Sequence, residues 1–170
     1  MPDLFLRPMV LSDALLVKEW ENDRSNWSVS GNDSDYSLDE IRSLVDSLKD
    51  IKIAKQARYM IIDSDEQRSL GAIDLFDIDF LNACAFVGVL VAKSKDRNRG
   101  VAENALRLLE EICIKELGID VLYAKVFTSN LPSMRLFEKR SFIKKRLMPA
   151  AELNNGQYIE TQIFEKCLKN

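Results

Sequence analysis

The most regular spacing of apolar and polar positions in the chain lies between Gly100 and Leu117. Apolar side chains recur there three and four residues apart, which places them on one face of a helix. The members of this stripe are Ala102, Ala105, Leu106, Leu109, Ile112, Cys113 and Leu117. Gly118 follows at the position where a left-handed residue often ends a helix. The pattern therefore predicts a long amphipathic helix over residues 100–117.

Capping residues predict three shorter helices. A helix over residues 12–22 can be capped by the serine or the aspartate at its start. Ser37 and Glu40 have the spacing of a capping box, and helical apolar spacing follows them. Asn130 can cap a short helix with a proline in its first turn. The polar stretch over residues 23–35 is expected to be a loop.

Seven runs of apolar residues have the length and the flanking turn residues of strands. They are residues 4–8, 59–62, 69–78, 85–91, 121–127, 142–148 and 158–167. The run over residues 85–91 is almost entirely apolar, so we expect it to be buried on both faces. The turn sequence Asn154-Asn155-Gly156 joins the last two runs. The order of elements predicts one α/β domain over residues 1–170, with a mixed sheet flanked by helices.

The charge and hydropathy of the chain narrow the classes of partner. Hydrophobic residues make up 46% and charged residues 30% of the chain, as in globular proteins, and the formal net charge is −3. This charge argues against a nucleic-acid partner bound through a large basic face. No run approaches the roughly 20 apolar residues that span a bilayer, and the first residues lack the pattern of a secretory signal. We therefore expect a cytoplasmic protein with no nucleic-acid and no membrane partner.

The sequence contains no histidine, which limits the possible chemistry. A Ser-His-Asp triad, a Cys-His pair and imidazole-dependent zinc sites are all excluded. Cys84, Cys113 and Cys167 are too far apart for a metal-binding spacing or a disulfide framework, so no metal is expected. Any proton transfer must use a carboxylate, a hydroxyl, a lysine or water.

A candidate anion site lies where the strand over residues 85–91 leads into the long helix. The first amides of a helix have no intrahelical partner, and the helix dipole is positive at that end. Residues 93–99 carry four basic side chains, and Gly100 and Ala102 leave the backbone accessible. The segment matches neither the dinucleotide fingerprint nor the P-loop. On the residues alone, an ordinary helix start with solvated basic side chains is an equal alternative.

The segment Arg97-Asn98-Arg99-Gly100-Val101-Ala102 resembles the Q/R-x-x-G-x-G/A motif of the GNAT N-acetyltransferase superfamily. The strand before it resembles the central strand of that family, and residues 130–142 resemble its second motif, N-x-x-S/A-x-x-x-Y/F-x-K-x-G-F. Residues 6–8, 20–23 and 155–158 are similar to the branch that holds the ribosomal-protein N-terminal acetyltransferases and spermidine acetyltransferase. The resemblance covers nearly the whole chain in order.

This resemblance implies a single GNAT-like domain whose mixed, mostly antiparallel sheet is splayed between strands 85–91 and 121–127. It also implies direct transfer of an acetyl group from acetyl-CoA, the co-substrate, to a primary amine such as a peptide N-terminus or a small molecule. The pantetheine would pair with the backbone of β-strand residues, the pyrophosphate would bind the loop, and the helix after residue 129 would approach the sulfur. The implied residues are Val89, Leu90, Val91, Arg97, Asn98, Arg99, Gly100, Val101, Ala102, Asn130 and Ser133.

Two departures from the family pattern leave the proton transfers to other groups. Phe86 stands where many members carry a glutamate, and Phe137 stands where many carry a tyrosine that protonates the leaving thiolate. We hypothesise that Ser133, one turn before Phe137, hydrogen-bonds the sulfur while water supplies the proton. The carboxylates that could orient the amine or accept its proton are Glu21, Asp23, Asp74 and Asp77.

Three alternatives stay open at the level of sequence. Acidic residues near the acceptor would suit a polyamine such as spermidine. A protein that kept the cofactor cleft and lost turnover would be a CoA-binding module. A homodimer is also possible.

Overall fold

The computed structural model describes residues 2–30, 34–152 and 156–169, and its strands form one sheet with helices on both faces. The strands are β1 (Leu4–Pro8), β2 (Ala57–Asp63), β3 (Ser69–Asp79), β4 (Cys84–Val91), β5 (Val121–Phe127), β6 (Ile143–Glu152) and β7 (Tyr158–Cys167). The helices are α1 (Ala14–Asn22), α2 (Arg24–Ser30), α3 (Leu38–Ser47), α4 (Ile51–Ala54), α5 (Val101–Ile112) and α6 (Leu131–Lys139). Turns of 3-10 helix at Leu11–Asp13 and Ser94–Asp96 precede α1 and α5, and a π turn at Cys113–Leu117 follows α5.

The sheet has the strand order β1-β2-β3-β4-β5-β7-β6. Neighbouring strands are antiparallel except β4 and β5, which are parallel and pair only from Cys84–Val121 to Phe86–Tyr123. Beyond Phe86, β4 stays paired with β3 as far as Val91, while its other edge has no strand partner among the described residues. The predicted α/β fold, its mostly antiparallel sheet and the splay between strands 85–91 and 121–127 are thus confirmed.

Two apolar clusters hold the helices on the sheet. On one face, α5 buries Leu106 and Leu109 against the centre of the sheet, where Leu122 and Phe164 are also fully buried. On the other face, α1 and α3 pack over β2 around Met60. The apolar face of the helix predicted over residues 100–117 is confirmed. Its α-helical geometry ends at Ile112, and Gly118, at a φ of +65°, ends the π turn that follows.

The segment predicted to be a loop contains a helix, so that prediction was wrong. Within α2 the indole of Trp27 donates a hydrogen bond to the carbonyl oxygen of Glu21 at 2.8 Å. The amide of Asn26, which is 1% exposed, donates to the carbonyl oxygen of Trp20 at 3.0 Å. These bonds fold α2 back onto α1. Its seven residues, RSNWSVS, are too short and too polar to produce a helical apolar stripe.

Other local predictions also needed correction. Ala85 and Val87 of β4 are buried, but its other residues are only half-buried, and the strand lines a cleft from Val87 onwards. The carboxylate of Asp13 does not cap α1, since it binds Arg7 at 2.7 and 2.8 Å. The helix α4 was not predicted; the carboxylate of Asp50 accepts hydrogen bonds from its first amides. The predicted turn at residues 154–156 lies largely outside the described residues.

None of the helices in the described part of the chain has the length and apolar character needed to cross a membrane.

Candidate active site

The loop between β4 and α5 leads into the N-terminus of α5, where the helix dipole is positive. Asn98 and Gly100 have φ values of +57° and +81°, and α5 begins directly after them without a side-chain cap. The first intrahelical bond of α5 runs from the amide of Asn104 to the carbonyl oxygen of Gly100, so the preceding amides have no acceptor inside the helix. This geometry suits a bound phosphate group. We call residues 93–102 the donor loop.

A nearly buried ion pair fixes the start of the donor loop. Asp96 is 2% exposed, and its two carboxylate oxygens accept hydrogen bonds from the guanidinium of Arg68 at 2.9 and 2.8 Å. Hydrogen bonding to Arg68 lowers the pKa of the Asp96 carboxyl, and this effect outweighs the opposing effect of burial. The pair joins the 3-10 turn of the loop to the start of β3.

The Asp96–Arg68 pair gives a pH-dependent prediction. A carboxyl whose pKa is lower in the folded state stabilises the fold above its unfolded pKa, about 3.9, and that contribution is lost as the pH falls through the folded pKa. Asp96→Asn should lower the free energy of unfolding by about 1–2 kcal/mol near neutral pH, since a third of the Arg68 side chain is exposed. Urea unfolding should show this difference shrinking between about pH 5 and pH 2.

The exposed pair of Asp39 and Arg42 supplies the control for this experiment, because Asp39→Asn should change stability little at any pH. An Asp96→Asn difference that stays constant down to the lowest pH would contradict the role assigned to the ion pair.

The side chain of Arg97 binds protein groups at the end of β4 and in α2. Its guanidinium donates to the carbonyl oxygens of Val91 at 3.0 Å and Ala92 at 3.3 Å, and to the side-chain oxygen of Asn26. The side chain therefore holds the end of β4 and helix α2. The backbone of the donor loop lines a cavity beside it. Arg99 is exposed and does not line that cavity.

Two cavities open along the unpaired part of β4. The first, about 420 Å³, lies against the donor loop and the start of α5 and α6; we call it the loop cavity. The residues predicted to bind the cofactor that line this cavity are Val89, Leu90, Val91, Arg97, Asn98, Gly100, Val101, Ala102, Asn130 and Ser133. The second, about 410 Å³, occupies the splay between β4 and β5; we call it the splay cavity.

Four residues line both cavities and so mark the point where they meet. They are Val89, Leu90, Asn130 and Ser133. The side-chain oxygen of Asn130 accepts a hydrogen bond from the amide of Ser133 at 3.2 Å, as expected of a helix cap. The half-buried hydroxyl of Ser133 has no hydrogen-bond partner among the described residues, so it is available to a group bound at the junction.

Two of the four predicted carboxylates meet in the splay cavity. The guanidinium of Arg58 binds Glu21 at 2.8 Å and Asp74 at 2.7 and 3.0 Å, and all three side chains are mostly buried. Burial alone lowers the pKa of Arg58, but the charges and hydrogen bonds of Asp74 and Glu21 outweigh it and the pKa is raised. We call these three residues the Arg58 cluster.

The other two predicted carboxylates lie elsewhere. Asp23 is exposed before α2 and accepts a hydrogen bond from the amide of Ser25 at 2.9 Å; hydrogen bonds from Ser25 lower its pKa. Asp77 lies at an irregularity in β3, at a φ of +50°, and lines a third cavity. Glu21 and Asp74 are therefore the two predicted carboxylates that line the splay cavity.

The two phenylalanines that depart from the family pattern have different surroundings. Phe137 is 3% exposed and packs against Phe142 and Phe164 at centroid distances of 5.0 and 5.9 Å, so its ring belongs to the core as well as to the cavity wall. Phe86 stacks on Phe76 at 5.6 Å, and the ammonium of Lys125 lies 4.5 Å from the Phe86 ring centroid.

Sequence reasoning did not select two charged residues of the splay cavity, Arg58 and Lys125. Lys125 is the one charge within an apolar predicted strand, which is an unusual place for a charge, and that signal could have identified it. Arg58 follows Lys55 and Gln56 before the next strand, so no comparable signal marks it.

With this geometry established, residues 3–143 match the acetyltransferase (GNAT) domain family. The match covers most of the chain, and the protein belongs to that family. It is an acyl-CoA-dependent N-acetyltransferase, which uses acetyl-CoA as co-substrate to acetylate an amine.

Individual relatives extend over nearly the whole chain. N-acetyltransferase p20 of Bacillus licheniformis is 25% identical over 162 residues, covering 95% of this chain and 90% of the relative. The probable N-acetyltransferase YjcK of Bacillus subtilis is 25% identical over 168 residues, covering 95% and 92%. The spermidine N-acetyltransferase of Vibrio cholerae, solved with CoA and spermine, has a TM-score of 0.87 at 19% identity, covering 97% of this chain and 95% of that one. This last likeness shows a shared fold.

Proposed function

We propose that the chain transfers an acetyl group from acetyl-CoA directly to a primary amine at the junction of the loop and splay cavities. The amine belongs to a peptide N-terminus or a small molecule. The observation that carries the proposal is the wall common to both cavities, formed by Val89, Leu90, Asn130 and Ser133. A donor in one cavity and an acceptor in the other would meet only there.

The donor half of the site follows from the backbone. The amides at the start of α5 would hold the pyrophosphate. The edge of β4 beyond Phe86 would pair with the pantetheine amides, as a peptide does when it adds to a sheet. The thioester would then lie at the junction, where a backbone amide of β4 can stabilise the oxyanion.

The reaction forms one bond and breaks one. The amine nitrogen attacks the thioester carbonyl carbon, a C–N bond forms, the C–S bond breaks, and CoA leaves as a thiolate. The nitrogen loses a proton to water or to a carboxylate of the Arg58 cluster, while the sulfur gains one from water. Glu21 and Asp74 would also draw the amine into the splay cavity by their charge.

A polyamine acceptor is the second candidate. The shared fold with the Vibrio cholerae spermidine enzyme supports it. A cytoplasmic location and a homodimer stay predictions from the sequence.

Release of CoA thiol in the presence of acetyl-CoA and a panel of amines tests the proposal. The panel contains amino acids, their amides, short peptides and spermidine. Turnover with at least one amine supports acetyl transfer, and acetyl-CoA should also raise the melting temperature. If acetyl-CoA binds and no amine is acetylated, the chain is a CoA-binding module and the proposed function is wrong.

The hydroxyl of Ser133 gives a kinetic prediction. Ser133→Ala should lower kcat about tenfold with little change in acetyl-CoA affinity, because a hydrogen bond to the sulfur strengthens as negative charge develops on it. Ser129→Ala is the matched control, since Ser129 is exposed before α6 and lines neither cavity. Steady-state kinetics with the best acceptor provides the measurement. A parental kcat in Ser133→Ala would show that the thiolate leaves without this serine.

A further inference from the structure

Lys125 lies on the acceptor side of the cleft with its charge unpaired. It points from β5 over the ring of Phe86, with 4.5 Å between its ammonium nitrogen and the ring centroid. It is exposed, and it forms no ion pair with a carboxylate in the part of the chain that the structure describes. It also lines both the splay cavity and the third cavity, so an acceptor that spans the two passes this ammonium group.

The charges on the described wall of the splay cavity balance. Glu21 and Asp74 contribute two negative charges, and Arg58 and Lys125 contribute two positive charges. A polycation that entered the splay cavity would meet no net negative charge on this wall. One of its positive charges would also approach the ammonium group of Lys125. A molecule that carries one ammonium and one anionic group finds a partner for each.

The third cavity, about 300 Å³, supplies an apolar surface beyond Lys125. Phe86 and Tyr123, with ring centroids 5.4 Å apart, form part of its wall with Met148 and Ile163, and the oppositely charged Asp77 and Arg146 also line it; we call it the aromatic cavity. Such a wall suits an apolar or aromatic side chain.

We propose that the acceptor is an amino acid or short peptide with an apolar or aromatic side chain, and that Lys125 selects it by binding its carboxylate. This inference rests on the proposed function and names the substrate class of the same site. The amine lies towards Ser133 and the Arg58 cluster, the carboxylate contacts Lys125, and the side chain occupies the aromatic cavity. Lys125 is then a specificity-determining residue with no part in the bond changes.

Matched acceptors test this inference by thiol release. L-phenylalanine is compared with L-phenylalaninamide, which keeps the amine and the ring and loses the negative charge, and with spermidine. We expect kcat/KM for L-phenylalanine to exceed that for the amide and for spermidine by about tenfold or more. In Lys125→Met the preference for L-phenylalanine over its amide should disappear, because only kcat/KM for L-phenylalanine falls. Lys125→Arg should retain the preference.

The variants need a control for general effects. Lys49→Met removes an exposed lysine two residues beyond the end of α3, outside the cleft, and should leave every kcat/KM unchanged. Equal turnover of the acid and the amide by the parent, or faster turnover of spermidine, overturns the inference and leaves acetyl transfer standing. A preference that survives in Lys125→Met also overturns it. Binding of acetyl-CoA without turnover of any amine removes the proposed function, and the inference with it.

Discussion

Gly100→Asp is expected to reduce acetyl-CoA affinity about a hundredfold or more, or roughly 3 kcal/mol, while the protein stays folded. Gly100 precedes α5 at a φ of +81°, where its missing side chain lets a phosphate approach the first helical amides. An aspartate there adds both bulk and a negative charge against the pyrophosphate. Calorimetric titration with CoA measures the loss, and circular dichroism checks the fold.

Two controls separate charge from backbone strain. Gly100→Asn introduces a side chain of the same size that tolerates positive φ and carries no charge, so it should lose distinctly less affinity than Gly100→Asp. Gly118→Asp places the same residue at a φ of +65° beyond the far end of α5, where the described residues leave 4 Å clear around an added Cβ, and should bind CoA normally. Unchanged affinity in Gly100→Asp would refute the assignment of an anion site to the donor loop.

Arg58→Met is expected to lower the free energy of unfolding by about 3 kcal/mol and to abolish turnover. Removal of one partner from a buried ion pair costs roughly 3–5 kcal/mol because the remaining charge is left without compensation. The lower end applies here, since 17% of the Arg58 side chain and 29% of that of Asp74 are exposed. Urea unfolding measures the first effect, and thiol release with the best acceptor measures the second.

A combined variant distinguishes the charge of the Arg58 cluster from its packing. Glu21→Gln with Asp74→Asn in the Arg58→Met background removes the two uncompensated carboxylates, so part of the lost stability should return. Activity should not return, because the groups that receive the amine are gone. If the combined variant is less stable than Arg58→Met alone, the loss comes from packing and the electrostatic explanation fails.

The long, periodic elements of this fold could be predicted from sequence, whereas the short polar ones could not. The apolar stripe of α5 and the apolar run of β5 span enough residues for their periodicity to be unambiguous. Helix α2 has seven residues and depends on hydrogen bonds from Asn26 and Trp27 to the carbonyl oxygens of α1. Such bonds form between segments, and propensity within a window does not reveal them.

One part of the candidate site could likewise be predicted from sequence and the other could not. The donor loop is continuous in sequence, so a strand, a loop and a helix start were enough to locate it. The acceptor side joins Glu21, Arg58 and Asp74 from three different elements, and the ion pair from Glu21 to Arg58 spans 37 positions. The sequence named the carboxylates and missed the arginine that positions them, because only the tertiary fold brings the three together.

The hydrogen bond from Arg97 to Asn26 restricts how this enzyme can be re-engineered. It ties α2 to the donor loop across 71 positions of sequence, and Asn26 is buried. A transplant of residues 23–35 from another acetyltransferase, intended to change the acceptor, would also remove an anchor of the donor loop. Grafted segments therefore need a side-chain oxygen at position 26.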